Sequence, residues 1–132
     1  MLQVFTKEWQ IAKTYIYDVT LAEGLINLNW DDFEYFAKNS RPLVAVKNED
    51  DASFKELLEK ALVEARMNCS GCFTKIIISI SNKEGEGINM DEMSDLIDCM
   101  DAFMDRDMEI KWGVSHNDSL MSKHCICVFA FK

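Results

Sequence analysis

Apolar residues recur at three- and four-residue steps from residue 3 to about residue 20: Val4, Phe5, Trp9, Ala12, Ile16 and Val19, with Ile11 and Tyr15 widening the stripe. That period predicts a first amphipathic helix, which ends before Gly24. A second, short helix is expected from about Asp31 to Lys38. Pro42 cannot continue a helix and biases Arg41 away from helical geometry, so residues 39 to 42 read as a break. Leu43 to Val46 is a short strand candidate, and Asn48 to Ala52 an acidic turn. Ser53 and Glu56 fit a capping box ahead of a third helix, with Phe54, Leu57, Leu58, Ala61, Leu62 and Ala65 on its core face. Lys75 to Ser81 is nearly all apolar and β-branched, the pattern of a central strand covered on both faces. Asn89 is placed to cap a fourth helix whose first turn carries Asp91 and Glu92, which suits the helix dipole. Its predicted apolar face is Met90, Met93, Leu96, Ile97, Met100, Phe103 and Met104. Met108, Ile110, Trp112 and Val114 alternate with Glu109 and Lys111, which predicts a strand burying one face. After a turn at His116 to Ser119, the last strand runs from His124 to Phe131. It places Cys125, Cys127, Phe129 and Phe131 on one side and Ile126 and Val128 on the other.

This order of elements predicts an α+β fold, a two-layer α/β arrangement with helices packed on a small, mostly antiparallel or mixed four-stranded sheet. A length of 132 residues with 48% hydrophobic content fits one domain with a real core. The net charge of −9 argues against nucleic acid and anionic membrane as partners, because both carry phosphate. No basic start leads into a 7–15-residue apolar run, and no stretch approaches the roughly 18 apolar residues of a membrane span. A cytoplasmic location is expected. The five cysteines are an odd number, and in a reducing compartment they are most simply free thiols.

Those thiols include the one spacing with metal or redox character. Cys69 and Cys72 form a C-x-x-C pair, and His124, Cys125 and Cys127 lie elsewhere on the chain; together they make a possible Cys/His zinc set. The competing reading is buried or loop thiols, with Cys125 and Cys127 as two core residues on one strand face. A redox role is disfavoured, since this C-x-x-C ends a helix whereas thiolate activation uses a helix N-terminus. His116 falls in a polar turn, and no Ser-His-Asp set is identifiable. The methionines of the fourth helix (Met90, Met93, Met100, Met104) fit either core packing or an adaptable binding face.

Residues 24 to 36 carry the most specific signal: Gly-Leu-Ile-Asn-Leu-Asn-Trp-Asp-Asp-Phe-Glu-Tyr-Phe. A loop rich in Asn and Asp feeds directly into a helix, where Asp31 can cap the positive end. This segment resembles the synergy loop of the tubulin/FtsZ family, typically Gly-Leu-Ile-Asn-Leu-Asp-Phe-x-Asp. Lys75–Ser81 resembles that family's Val-Leu-Val-Asn-Ile-Thr strand, and residues 90–104 its following helix. Ile110–Val114 resembles its Ile-x-x-Gly-x strand, and residues 117 to 120 its Asp-x-x-Leu turn. The resemblance covers nearly the whole chain. It implies a core-helix remnant over residues 1–23, then the family's C-terminal domain over 24–132, with the synergy loop at 24–33.

In that family the loop completes the GTPase site of the neighbouring subunit. The resemblance therefore implies a partner-binding role for Asn27, Asn29, Asp31 and Asp32. An ordinary capping and turn role is the alternative. Asn29 stands where the family's first acid is usual, and an amide cannot accept a proton, so Asp31 and Asp32 are the remaining trans-catalytic candidates. The phosphate loop Gly-Gly-Gly-Thr-Gly-x-Gly occurs nowhere in the chain, and Thr6 and Lys7 stand where the core helix would supply an Asn-Asp pair. The final strand ends Val-Phe-Ala-Phe-Lys in place of Val-x-Ala-Thr-Gly. The chain is expected to be either a stand-alone relative or a piece of a longer protein. No cofactor is expected, and no enzymatic activity of the chain alone. The expected partner is a full-length FtsZ or FtsZ-like subunit whose filament assembly the chain caps or modulates. A trans GTPase-activating role is an alternative. So is self-association, a homodimer through the first helix, where Trp9 and Tyr15 offer an apolar patch.

Overall fold

The computed structural model describes residues 2–5, 24–26, 35, 42–68, 74–83, 88–103, 108–118 and 120–131. Within them lie the strands β1 (Leu2–Phe5), β2 (Gly24–Ile26), β3 (Pro42–Asp50), β4 (Lys75–Asn82), β5 (Glu109–His116) and β6 (His124–Phe131), and the helices α1 (Phe54–Met67) and α2 (Met90–Phe103). The strands form one sheet in the order β1-β3-β6-β4-β5-β2. Every neighbouring pair is antiparallel except β4 and β5, which run parallel. A parallel pair needs a crossover, and α2 supplies it. The expected mixed α+β fold is thus present. The four strands legible in the sequence are its centre, and two short strands flank them.

The central strands form because their side chains are buried on both faces. Ile76, Ile78 and Ile80 of β4 join Ile126, Val128 and Ala130 of β6, Val44 and Val46 of β3 and Val114 of β5 in one apolar cluster. The inner face of α1 covers that cluster through Phe54, Leu57, Leu58, Ala61, Leu62 and Ala65, all six buried as the periodicity predicts. Ile77, Phe129, Phe131 and Ala45 are buried on the opposite face of the sheet.

Both helix starts are capped by the predicted residues. Ser53 Oγ accepts the Glu56 amide at 3.3 Å. Asn89 Oδ1 accepts the Glu92 amide at 2.8 Å, while Glu92 Oε1 accepts the Asn89 amide at 3.3 Å. That reciprocal pair satisfies two amide donors at one helix end. Arg66 joins the helices, its guanidinium 4.3 Å from the Phe103 ring centre and its Nη2 donating to the Phe103 carbonyl at 3.3 Å.

Four expectations are corrected. Residues 3–5 are strand, not helix: Leu2 to Phe5 pair with Asn48 to Ala45 along the edge of β3. Over four residues a β-branched and aromatic segment fits either period, and an available sheet edge gives the backbone groups on one side of the segment a partner. The remainder of the expected first helix lies outside the described residues. Gly24–Ile26, assigned to a loop, is also a strand. Asn48, Glu49 and Asp50 extend β3 rather than forming a turn, because β6 pairs with them through Asp50↔His124. Finally, Met90 and Ile97 do not face the core, Met90 being 85% exposed. The α2 stripe is narrower, with Leu96 and Met100 buried and Met93, Cys99 and Phe103 packed on their flank. No helix among the described residues is long and apolar enough to cross a membrane.

Candidate interaction site

The loop singled out by the sequence runs between two points that the structure places on the same strand. On its N-terminal side, β2 pairs antiparallel with β5, Gly24 opposite Ser115 and Ile26 opposite Val114, with a bulge between. On its C-terminal side, Tyr35 is helical and half exposed, and Lys111 Nζ of β5 lies 5.7 Å from the centre of its ring. A cation at that distance is attracted by the ring face, by about 0.5–1 kcal/mol at an exposed site. Both flanks of the loop are therefore seated on β5, one through backbone pairing and the other through a side chain. Asn27, Asn29, Asp31 and Asp32 themselves lie outside the described residues, as do Trp9 and Tyr15.

β5 is held firmly enough to serve as that seat. Its parallel pairing with β4 runs through all eight residues, from Lys75↔Glu109 to Asn82↔His116. Beyond it, the Asn117 amide donates to the Asn82 carbonyl at 2.8 Å, and the Leu120 amide to the Asn117 carbonyl at 3.3 Å. His116 is exposed as expected, but it is the last residue of β5, paired with Asn82, and not part of the turn.

The acidic end of β3 and Asp51 just beyond it have a structural task that the sequence did not reveal. Glu49 Oε2 accepts the amides of Met121 and Ser122 at 2.8 and 2.9 Å, and Asp51 Oδ1 accepts that of Lys123 at 2.8 Å. His124 Nδ1 lies 2.7 Å from the Ala52 carbonyl, which only accepts, so Nδ1 carries the hydrogen. The His124 ring packs on Phe54 with centres 3.9 Å apart. These bonds clamp the β5–β6 connection to the start of α1.

The possible zinc set divides. Cys69 and Cys72 lie outside the described residues. His124 and Cys125 are successive residues of β6, so their side chains leave on opposite faces of the sheet. His124 goes to Phe54 of α1, whereas Cys125 leaves on the opposite face of the sheet, the same face as Cys127. Among the described residues no group of three His, Cys, Asp or Glu could hold a metal ion. Cys99 of α2 is half-buried, and burial, then the Glu59 carboxylate, pushes its thiol up from the ordinary value. Cys125 is held low, chiefly by a hydrogen bond from Cys127, with Lys47 adding to the effect against burial. Sequence reasoning placed Cys125 and Cys127 together on one strand face but missed Lys47 beside them, the Lys111–Tyr35 contact and the clamp made by Glu49 and Asp51.

No family model and no curated protein matches the chain by sequence. Solved structures match it by shape. A mutant FtsZ of M. jannaschii superposes with a TM-score of 0.68 at 16% identity, over 95% of this chain and 38% of that one. An empty FtsZ dimer from M. jannaschii gives 0.62 at 15% identity, over 92% and 36%. A GTPγS-form protofilament of TubZ from Bacillus thuringiensis serovar israelensis gives 0.56 at 8%, over 92% and 34%. The chain spans little more than a third of the length of these proteins, and over that span it has the FtsZ-like fold.

Proposed function

We propose that this unit is an FtsZ-like interaction module that docks the loop between β2 and Tyr35 on the nucleotide face of a full-length FtsZ or FtsZ-like subunit, in the cytoplasm. The observation that carries this reading is the seating of both loop flanks on β5, a rigid strand of a fold shared with FtsZ. A loop anchored at both ends loses less conformational freedom on binding. The 132 residues contain five glycines and no cluster of them to cradle phosphates, so the unit neither binds nor turns over GTP alone. Docked at one end of a filament, it offers the next subunit no nucleotide, and growth stops there. This links it to filament assembly of the cell-division type.

The test is GTP-driven polymerisation of FtsZ from the same source, followed by pelleting, with this chain titrated in. Loss of polymer at substoichiometric chain is expected, and Asn27→Ala and Asp32→Ala variants should lose the effect. Unchanged polymer with no chain in the pellet would sink the reading. A second reading, trans activation of the partner's GTPase, is favoured by the Asp31-Asp32 pair. It requires faster GTP turnover on mixing, abolished by Asp32→Ala. Self-association through the first helix is a third, and gel filtration at two concentrations separates it from both.

A further inference from the structure

The face of the sheet turned away from α1 and α2 is not uniformly apolar. Around Phe129 the register aligns Ala45, Phe129 and Ile77, an apolar row that ends on Lys111 of β5. One step along the strands, Lys47, Cys127, Ser79 and Gly113 align, and the next row is Glu49, Cys125, Ser81 and Ser115. Two thiols thus occupy the middle of a polar band that crosses four strands. Cys125 is 4% exposed and Cys127 7%, neither is in a disulfide, and two residues apart on β6 their side chains leave on the same face of the sheet. Ser81 and Ser115 Oγ lie 3.5 Å apart beside them.

We infer that Cys125 and Cys127 form a two-sulfur site for a soft monovalent cation of the copper(I) class. Thiolates select such ions over hard ones. Two sulfurs on one side of a strand suit a metal that needs only two ligands in line. With metal–sulfur bonds of about 2.3 Å, such an ion bridges sulfurs about 4–5 Å apart. A direct disulfide fits less well. Residues two apart on an extended strand have Cα atoms about 6.6 Å apart, close to the upper limit of about 6.8 Å for a relaxed disulfide. Zinc fits less well too, because it takes four ligands. Glu49 spends Oε2 on two backbone amides, His124 is on the other face, and serine hydroxyls are poor ligands for soft ions.

On binding, each thiol gives its proton to solvent, two sulfur–metal bonds form and no electron moves. The bound site carries one net negative charge. Lys47, opposite Cys127 in the register and near enough to favour the Cys125 thiolate, offsets it. Glu49 works against this help, since one of its oxygens lies 3.7 Å from Lys47 Nζ; its other oxygen is taken by the Met121 and Ser122 amides, so the offset by Lys47 is partial.

The experiment titrates copper(I) anaerobically into reduced protein against a chromogenic copper(I) chelator. The C69S/C72S/C99S variant is used so that uptake belongs to the strand pair. One equivalent per chain is expected, with two sulfur neighbours by X-ray absorption and a monomer throughout. Adding C127V, a substitution close in volume and suited to a strand, should weaken binding at least 100-fold while circular dichroism stays unchanged. Equal affinity with C127V or C125V, or a shell of three or more sulfurs, overturns the site. If the triple variant does not fold, the intact chain is compared with its C127V single variant. One copper(I) fewer per chain supports the site, and equal stoichiometry overturns it.

Discussion

Asn48 shows how a polar residue earns a place in this core. It is buried at 4% exposure in β3, and its Nδ2 donates to the Leu57 carbonyl in the first turn of α1 at 3.1 Å. An amide in an apolar layer is tolerated only when bonded, so this contact ties sheet to helix at one defined height. Asn48→Ala is expected to lower stability by about 1–2 kcal/mol in urea melts, with an unchanged m-value. The adjacent acids work in the same way. Glu49 and Asp51 look like generic turn residues in the sequence, yet their carboxylates hold three amides of a connection more than 70 residues away. Nothing local to Glu49 announces a partner that distant along the chain.

At the scale of elements, the helices are governed by local rules and the strands by their neighbours. The capping box at Asn89 is written into four consecutive residues, and it forms as written. Asn89→Ala should cost about 1 kcal/mol of stability in thermal or urea denaturation, since one amide loses its side-chain acceptor. The face of α2 is a different matter. A helix at the margin of the sheet buries a stripe only as wide as its contact with α1 and the sheet, so Met90 and Ile97 stay outside although their spacing is right. β1 makes the complementary point: Leu2 to Phe5 are strand because the edge of β3 is there to pair with them.

For the whole molecule, the strand order places β6 and β4 in the interior and leaves β1 and β2 at the margins. Interior strands open only with the entire sheet, whereas a short marginal strand opens alone. Amide hydrogen exchange read by mass spectrometry should therefore find the slowest exchange in β6 and β4 and the fastest in β2. Addition of a filament partner should slow exchange at β2 and the loop beyond it, if the docking face is the one proposed. The parallel seam between β4 and β5 matters most here, because it fixes the strand on which both flanks of that loop rest.

Read from residues alone, the α1 face, both helix caps, the central strand Lys75–Ser81 and the α+β class were all accessible. Each depends on a period of 3.6 or 2, or on a cap within four positions, and such signals survive without knowledge of the fold. The FtsZ-like likeness was legible in one loop frame and a few strand patterns. The sheet order, the parallel seam, the seating of Gly24–Ile26 and Tyr35 on one strand and the polar band around Cys125 and Cys127 were not. They join residues far apart in sequence, and those contacts exist only once loop-closure entropy has been met by burial of the β4–β6 core.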